Sequence, residues 1–552
     1  MACHLPADQA RPILRRLTSG QASDGPAPGN ALMKTNACLD PDLPPPAPAL
    51  VADALLDRQG LDTYQAALTA AIGMVTRQWS SLQAPCHGIS RPSLQAMIDR
   101  VDLDSPLGDL QAAMHEAGGL YLHEAMYFHH PHYLAHLNCP VLVAPLAAEV
   151  ILSAVNSSMD TWDQSLGASL IEQKLMHWTA NRCGLPPAQA DGVMTSGGSQ
   201  SNLMAMLLAR DMAAARLEPR APVRRHGLPE SFRRMRILAA DTTHFSIHKA
   251  AALLGLGERA VIEIATDDQG RLTPVAVEQA LAHCRERAWI PIVLAATAGT
   301  TDMGSIDPLP ELADICRRHA LRLHVDAAYG GGLLASPHHR QRLAGIEAAD
   351  SITIDYHKSW FQPVSCSAFL VRERRDWEWL TWHADYLNPA SQIRPGCPNL
   401  VDKSLQTTRR FDAFKLWLSL RGPGPEAIGQ LFDQVIELAG HCHQWLRQQD
   451  DIQLATSQPP MLSTLLFRYC PAGMHDEAAI DRLNQRIREA LLASGEAVLG
   501  GTRRRRRHYL KFTLLNPRTT LADLQQILTL IRHHAGNLST NDQPLAAGPP
   551  DA

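Results

Sequence analysis

The sequence lacks any apolar stretch long enough to cross a bilayer. Its longest apolar run, residues 141–155 (VLVAPLAAEVILSAV), contains Glu149 and falls short of the roughly 20 residues a spanning helix needs. It reads instead as a buried helix. The N-terminus, MACHLPADQARPILRRLTSG, lacks the continuous apolar segment of a secretory signal. Cysteine pattern is missing too: the eleven cysteines are scattered and none forms a C-x-x-C pair. Such a set reads as reduced thiols, not as a disulfide framework. No sign of charge dominates, since the formal net charge is −4. That balance argues for neither a nucleic-acid surface nor a basic membrane patch. These absences together predict a cytoplasmic protein with no membrane and no nucleic-acid partner.

What is present is ordinary for a globular enzyme-sized chain. The 552 residues are 45% apolar and 19% charged, enough for a large core and two to four domains. Residues 20–50 are rich in Pro, Gly, Ala and Asn, so residues 1–50 are expected to be a disordered lead-in. An amphipathic helical pattern covers 51–140. A large domain is predicted over 141–430, a smaller C-terminal α+β domain over 431–535, and a disordered polar tail over 536–552. No internal repeat is visible.

Seven short runs stand out in the large domain: GVMTSGG (192–198), RILAADTTH (236–244), VIEIAT (261–266), PIVLAATAGTTD (291–302), RLHVDAAYG (322–330), SITIDYHK (351–358) and SAFLVRE (367–373). Most are apolar on both faces and separated by helix-length spacers. This predicts an α/β fold with a mostly parallel seven-stranded sheet, covered by helices on both faces. Ligands of such sheets gather at the carboxyl ends of the strands. SGGS, His244, GTTD, DAAYG and HK each close a run.

Three of these endings bear on chemistry. In TSGGSQSNLMAMLLAR (195–210) a strand ends in a Ser/Gly turn and a helix begins at once, an arrangement suited to an anion. A tight turn with no ligand fits this stretch equally well. Asp326 at a strand end could bind a metal, cap a helix, or pair with a cationic ring nitrogen. Lys358 follows an apolar strand. An enclosed ammonium is costly, so such a lysine is either paired or covalently used. In combination the three are the parts that a pyridoxal-phosphate site requires: a phosphate turn, a ring-nitrogen partner and a Schiff-base lysine.

The stretch from about His129 to Arg421 resembles the group II pyridoxal-phosphate decarboxylases, which have the aspartate-aminotransferase-like fold (fold type I). DYHKSWFQPVSCSAFL, HADYLNP, QTTRRFDAFKLW and YLKFTLLNP are similar to the L-2,4-diaminobutyrate branch. The resemblance implies pyridoxal 5'-phosphate as cofactor, a homodimer, and decarboxylation of an amino acid. The expected reaction converts L-2,4-diaminobutyrate to 1,3-diaminopropane and CO2. Glutamate, aspartate, ornithine or lysine are the rival substrates, and a non-catalytic cofactor-binding scaffold is the rival class. Lys358 matches the Schiff-base lysine, Asp326 the ring-nitrogen partner, and His244 the histidine stacked on the ring. Ala328 matches the small residue on the other ring face and Thr301 a threonine near the 3-hydroxyl. Gly198 and Ser199 match the phosphate turn, with His357 and Asp355 flanking it. His136, Asn138 and Lys511 are implied as substrate contacts.

Two features stand apart. The glutamate and aromatic amino-acid enzymes carry a loop tyrosine that protonates the carbanion, but the matching loop here, 389–406, has no Tyr. His244 is then the candidate donor. In HHPHYLAHLNCP (129–140), His132 and His136 are four apart, but one helical pair without a third ligand is weak ground for a metal, and none is expected. The arginines of TRRRRRH (502–508) read as a solvated turn.

Overall fold

The computed structural model describes residues 54–392 and 395–540. The chain divides after Tyr64 into two units, and the second carries everything that follows. Strand β1 is Tyr133–Leu134, and the next seven are β2 Asp191–Thr195, β3 Met235–Ala240, β4 Val261–Ile264, β5 Ile290–Thr297, β6 Arg322–Asp326, β7 Ser351–Asp355 and β8 Ser367–Val371. These seven form one sheet in the order β2-β8-β7-β6-β5-β3-β4. Only β8 runs against its neighbours. All seven predicted runs are strands of this sheet.

The reason lies in alternation between two buried faces. Leu238, Leu294, Val325, Ile352 and Ile354 pack into one core, while Ile237, Val293, Val193 and Phe369 pack into the other. Each fully buried side chain of this kind contributes about 1.5–3 kcal/mol. A strand with apolar residues on both sides has nowhere else to go, and the helices fill in above and below. Helix Gly198–Leu217 lies on one of these faces and buries Met204, Ala205, Leu208 and Ala209 there.

The remaining strands, β9 Ile452–Leu454, β10 Thr464–Tyr469, β11 Val498–Arg504 and β12 Arg507–Thr513, build a second sheet with β1, ordered β1-β11-β12-β10-β9. The β11–β12 hairpin turns at Arg505 and Arg506, both with positive φ (48° and 66°). This is the two-residue turn whose twist suits a hairpin. The arginine run is thus a hairpin tip, with Arg505 paired to Asp268 and Arg507 to Glu477 at the surface.

Several expectations need correction. The 129–140 stretch is not helical: it carries β1, which pairs in parallel with β11 of the second sheet. The boundary at 430 falls inside one continuous helix, Pro425–Leu446. Helix Leu521–Thr540 runs through the start of the expected tail at 536–552, of which 541–552 lie outside the described residues. The expected lead-in, 1–50, also lies outside them. The apolar run 141–155 does form a helix, Val143–Val155, but it is not buried throughout. Only Pro145, Ala148 and Leu152 are covered, while Val143 and Val155 are 80% and 68% exposed. No described helix is long and apolar enough to cross a membrane, and the nine described cysteines are all free.

Candidate active site

Five strand ends converge on one cavity of about 370 Å³. From β2 come Ser196, Gly197, Gly198 and Ser199; after β3, His244; from β5, Thr297, Gly299 and Thr301; from β6, Asp326, Ala328 and Tyr329; from β7, Asp355, His357 and Lys358. Parallel strands end on the same edge of a sheet, so distant sequence positions are delivered to one place.

Backbone approach is close around this edge. Gly299 has φ +105°, and a Cβ there would sit 2.8 Å from the Gly330 amide nitrogen. Only glycine lets the GTTD turn lie against the DAAYGG segment. Behind the turn, buried Asp307 accepts from the N–H groups of Thr297 and Leu272, each at 2.7 Å. Burial raises its carboxyl to about 6 while those two N–H groups oppose the rise.

Lys358 is held by a carboxylate other than Asp326. Its Nζ lies 2.8 Å from Asp355 Oδ2. Burial acts to lower its pKa, but Asp355, helped by Asp326, more than offsets this and leaves it raised. Burial acts to raise the Asp355 carboxyl, and the charges of Lys358 and His357 reverse that and lower it. Ser367 Oγ also donates to Asp355 Oδ1 at 2.7 Å. The structure therefore gives Asp355 the lysine as partner, on the same lining as the Gly198 turn. His357 lies beside it, with Nε2 3.7 Å from Asp355 Oδ2.

Asp326 is buried at the end of β6. Its Oδ1 accepts from the Ala328 N–H at 3.0 Å within its own turn, without capping the helical turn that starts at Gly330, and its Oδ2 accepts from Asn202 Nδ2 at 2.8 Å. His244 sits with Nδ1 2.8 Å from Ser246 Oγ, and burial lowers its pKa against the pull of Asp326.

The cavity suits pyridoxal phosphate on its own chemistry. Helix Gly198–Leu217 begins on its lining; the Gln200 and Ser201 N–H groups donate to the Gly197 carbonyl, while those of Gly198 and Ser199 have no intrahelical acceptor and favour an anion. A Cβ at Gly198 would come within 3.1 Å of Asp355 Oδ2 and 3.4 Å of Ala328 Cβ, so the turn lies directly over these two residues. Thr297 Oγ1, buried and without a hydrogen-bond partner, also lies on this lining. An amine, a carboxylate, an anion-binding helix start and an unpaired hydroxyl thus share one space.

Three expected residues lie elsewhere. His136 and Asn138 line a separate cavity of about 360 Å³ with Phe128, Arg488 and Leu499, while Leu137 between them reaches the first. The chain bends over 135–137, just after β1, and that bend sends the three neighbouring side chains to different cavities. Lys511 is buried on β12 and bonds Asp302 at 3.0 Å. Sequence reasoning missed Asn202, Ser246, Gln200 and Tyr329. For Asn202 a signal existed: it is the amide that directly abuts the apolar run LMAMLLA.

Comparison with known proteins agrees with this chemistry. The family described as pyridoxal-dependent decarboxylase conserved domain matches residues 114–470. An L-2,4-diaminobutyrate decarboxylase of Rhizobium meliloti (strain 1021) is 41% identical over 89% of this chain and 96% of its own length. One from Acinetobacter baumannii is 37% identical over 86% and 93%. Among solved structures, the glutamate decarboxylase domain of diaminobutyrate-pyruvate transaminase and L-2,4-diaminobutyrate decarboxylase from Vibrio parahaemolyticus superimposes with a TM-score of 0.79 at 33% identity, covering 88% of this chain and 97% of that one.

Proposed function

The chain belongs to the pyridoxal-dependent decarboxylase family and is a pyridoxal-phosphate-dependent carboxy-lyase acting on an amino acid, and from that premise we propose that its substrate is L-2,4-diaminobutyrate, released as 1,3-diaminopropane and CO2. The observation that carries the assignment of roles is the convergence of Lys358, Asp326, His244 and the Gly198 helix start on one cavity. When bound, pyridoxal phosphate supplies an aldehyde that condenses with amines and a ring that accepts the electron pair left by the departing carboxylate. Lys358 would hold the cofactor, and Gly198 and Ser199 would bind its phosphate through backbone N–H groups. Asp326 would keep the ring nitrogen protonated. His244 would pack on the ring and is the candidate proton donor. Ala328, Thr301 and His357 would complete the enclosure.

Two observations support the diaminobutyrate reading. Relatives at 37% and 41% identity carry that activity in their names. In addition, a distal carboxylate, as in glutamate, needs a free cation, and the Lys511 ammonium is already engaged by Asp302. Lysine also lacks the guanidinium fork that grips a carboxylate at two points. We expect kcat/KM for L-2,4-diaminobutyrate to exceed that for glutamate, ornithine and lysine by at least ~10-fold, about 1.4 kcal/mol in transition-state binding. Mass spectrometry of the products from an equimolar amino-acid mixture tests it. Preferential formation of 4-aminobutyrate, putrescine or cadaverine would sink the substrate and leave the decarboxylase standing.

The working form is proposed to be a homodimer. Helices Arg91–Ile98 and Leu110–Ala117 contain no buried residue, and Ile72, Trp79, Val143 and Val155 are exposed. Apolar surface on this scale marks a contact with a partner, and a symmetric pair is the commonest assembly. Light scattering at assay concentration is expected to give twice the chain mass; an active monomer there would refute it. A cytoplasmic location accords with the free, largely buried cysteines.

A further inference from the structure

We propose that Asn202 is a positioning residue that sets, through one fully saturated amide, both the orientation of the Asp326 carboxylate and the tautomer of His244. The proposal rests on the reading of Asp326 and His244 as cofactor contacts and deepens it. Asn202 sits in the first turns of the helix that opens at the phosphate turn and is 1% exposed. Its Nδ2 donates to Asp326 Oδ2 at 2.8 Å and to Ser246 Oγ at 2.9 Å. Its Oδ1 accepts from His324 Nε2 and from Thr353 Oγ1, both at 2.9 Å. An amide offers two donors and two acceptor sites, and here all four are used. The carboxylate accepts only, so the amide cannot turn over without setting its oxygen against Asp326. His324, behind it on β6, is fully buried and its pKa is lowered to about 4, chiefly by burial and against the opposing pull of Asp326. It is therefore neutral, and donates from Nε2.

The second branch follows from the first. Ser246 Oγ is occupied as an acceptor by Asn202, so its own proton is free for His244 Nδ1 at 2.8 Å. The Ser246 N–H also points at that nitrogen, at 3.3 Å. Two donors on Nδ1 leave the His244 proton on Nε2. A single side chain on the helix thus links the residue assigned to the ring nitrogen with the residue assigned to proton donation. The charged and titratable groups around it are Asp326, His244, His324, Arg322, Lys358 and Asp355.

Asn202→Asp keeps the shape but places a second carboxylate against Asp326, and two such groups share a proton instead of both ionising. Asn202→Leu removes both donors. For the folded holoenzyme variants we expect kcat to fall by ~30-fold or more with KM changed far less. The absorbance of the bound cofactor and its pH dependence should shift, and the cofactor should be lost faster on dilution. Ser246→Ala isolates the other branch: the pH profile of kcat should move by about half a unit with the cofactor absorbance unchanged. Asn202 variants that fold and keep the absorbance, the cofactor release rate and kcat within about threefold of the parent overturn the proposal. Should neither fold, Ser246→Ala decides alone, an unaltered profile overturning it. Asp326→Asn separates the two levels: if it too is without effect, the cofactor-contact reading itself has failed.

Discussion

Lys358→Ala is expected to abolish turnover and to remove the near-ultraviolet to violet absorbance of cofactor bound to the protein. Borohydride fixation of the parent enzyme followed by peptide mapping should place the label on the peptide containing Lys358, and label on another lysine would overturn the assignment. The geometry adds an effect separate from catalysis. Asp355, 2% exposed, faces the Lys358 ammonium at 2.8 Å. Removing one partner of a buried pair leaves the other uncompensated, at a cost of about 3–5 kcal/mol. Thermal unfolding without cofactor should therefore show the variant less stable. The pH window of that loss follows from the shifts. The raised lysine pKa gives stability that is complete below the ordinary lysine range and fades as pH climbs through the raised value. The lowered Asp355 pKa gives stability that is complete above the ordinary carboxylate range and fades as pH falls through the lowered value. The stability gap between parent and variant should be widest between those limits and close at both extremes.

Asp326→Asn is expected to reduce kcat by at least ~100-fold, roughly 3 kcal/mol of barrier. The variant loses the charge proposed to hold the ring nitrogen protonated, in a site where burial makes that charge worth more than in water. The two oxygens now bond the Ala328 N–H and Asn202 Nδ2. An asparagine can accept only one of these, since its NH2 must face the other donor. Steady-state kinetics with thermal unfolding separates the two contributions. A kcat within a few-fold of the parent would show that Asp326 only caps its turn.

Much of this architecture was legible because it depends on local pattern. Doubly buried strands read as unbroken apolar runs, and the carboxyl ends of parallel strands collect on one edge. Naming SGGS, His244, GTTD, DAAYG and HK as strand endings was therefore enough to bring Gly198, His244, Thr301, Asp326, Ala328, His357 and Lys358 to one cavity. What escaped depends on pairings that sequence does not display. Asp355 and Lys358 are three apart, yet their contact depends on how the chain turns after β7. Asn202 is legible as a helix position but not as the meeting point of β6, β7 and the turn at Ser246. His136 and Asn138 lie in and after a bend that follows β1, and β1 is itself placed by a strand beyond residue 497. The exposed side of Val143–Val155 is as apolar as its buried side, so composition alone could not tell which residues another surface would cover.

The pairing of β1 with β11 also bears on how the chain is made. His132 Nδ1 lies 3.0 Å from Glu496 O, 364 residues later. At typical synthesis rates the ribosome takes roughly 20 to 70 s to cover that distance. Until then Tyr133 and Leu134 have no strand to join. The large sheet, whose strands all lie between 191 and 371, has every segment it needs much sooner. Strand β1 is thus among the last to find its place, because its two residues are made long before the strand that pairs with them. That interval is when chaperone binding, proteolytic clipping and non-native association compete with folding, and it is lengthened by slow translation of the residues between the two strands.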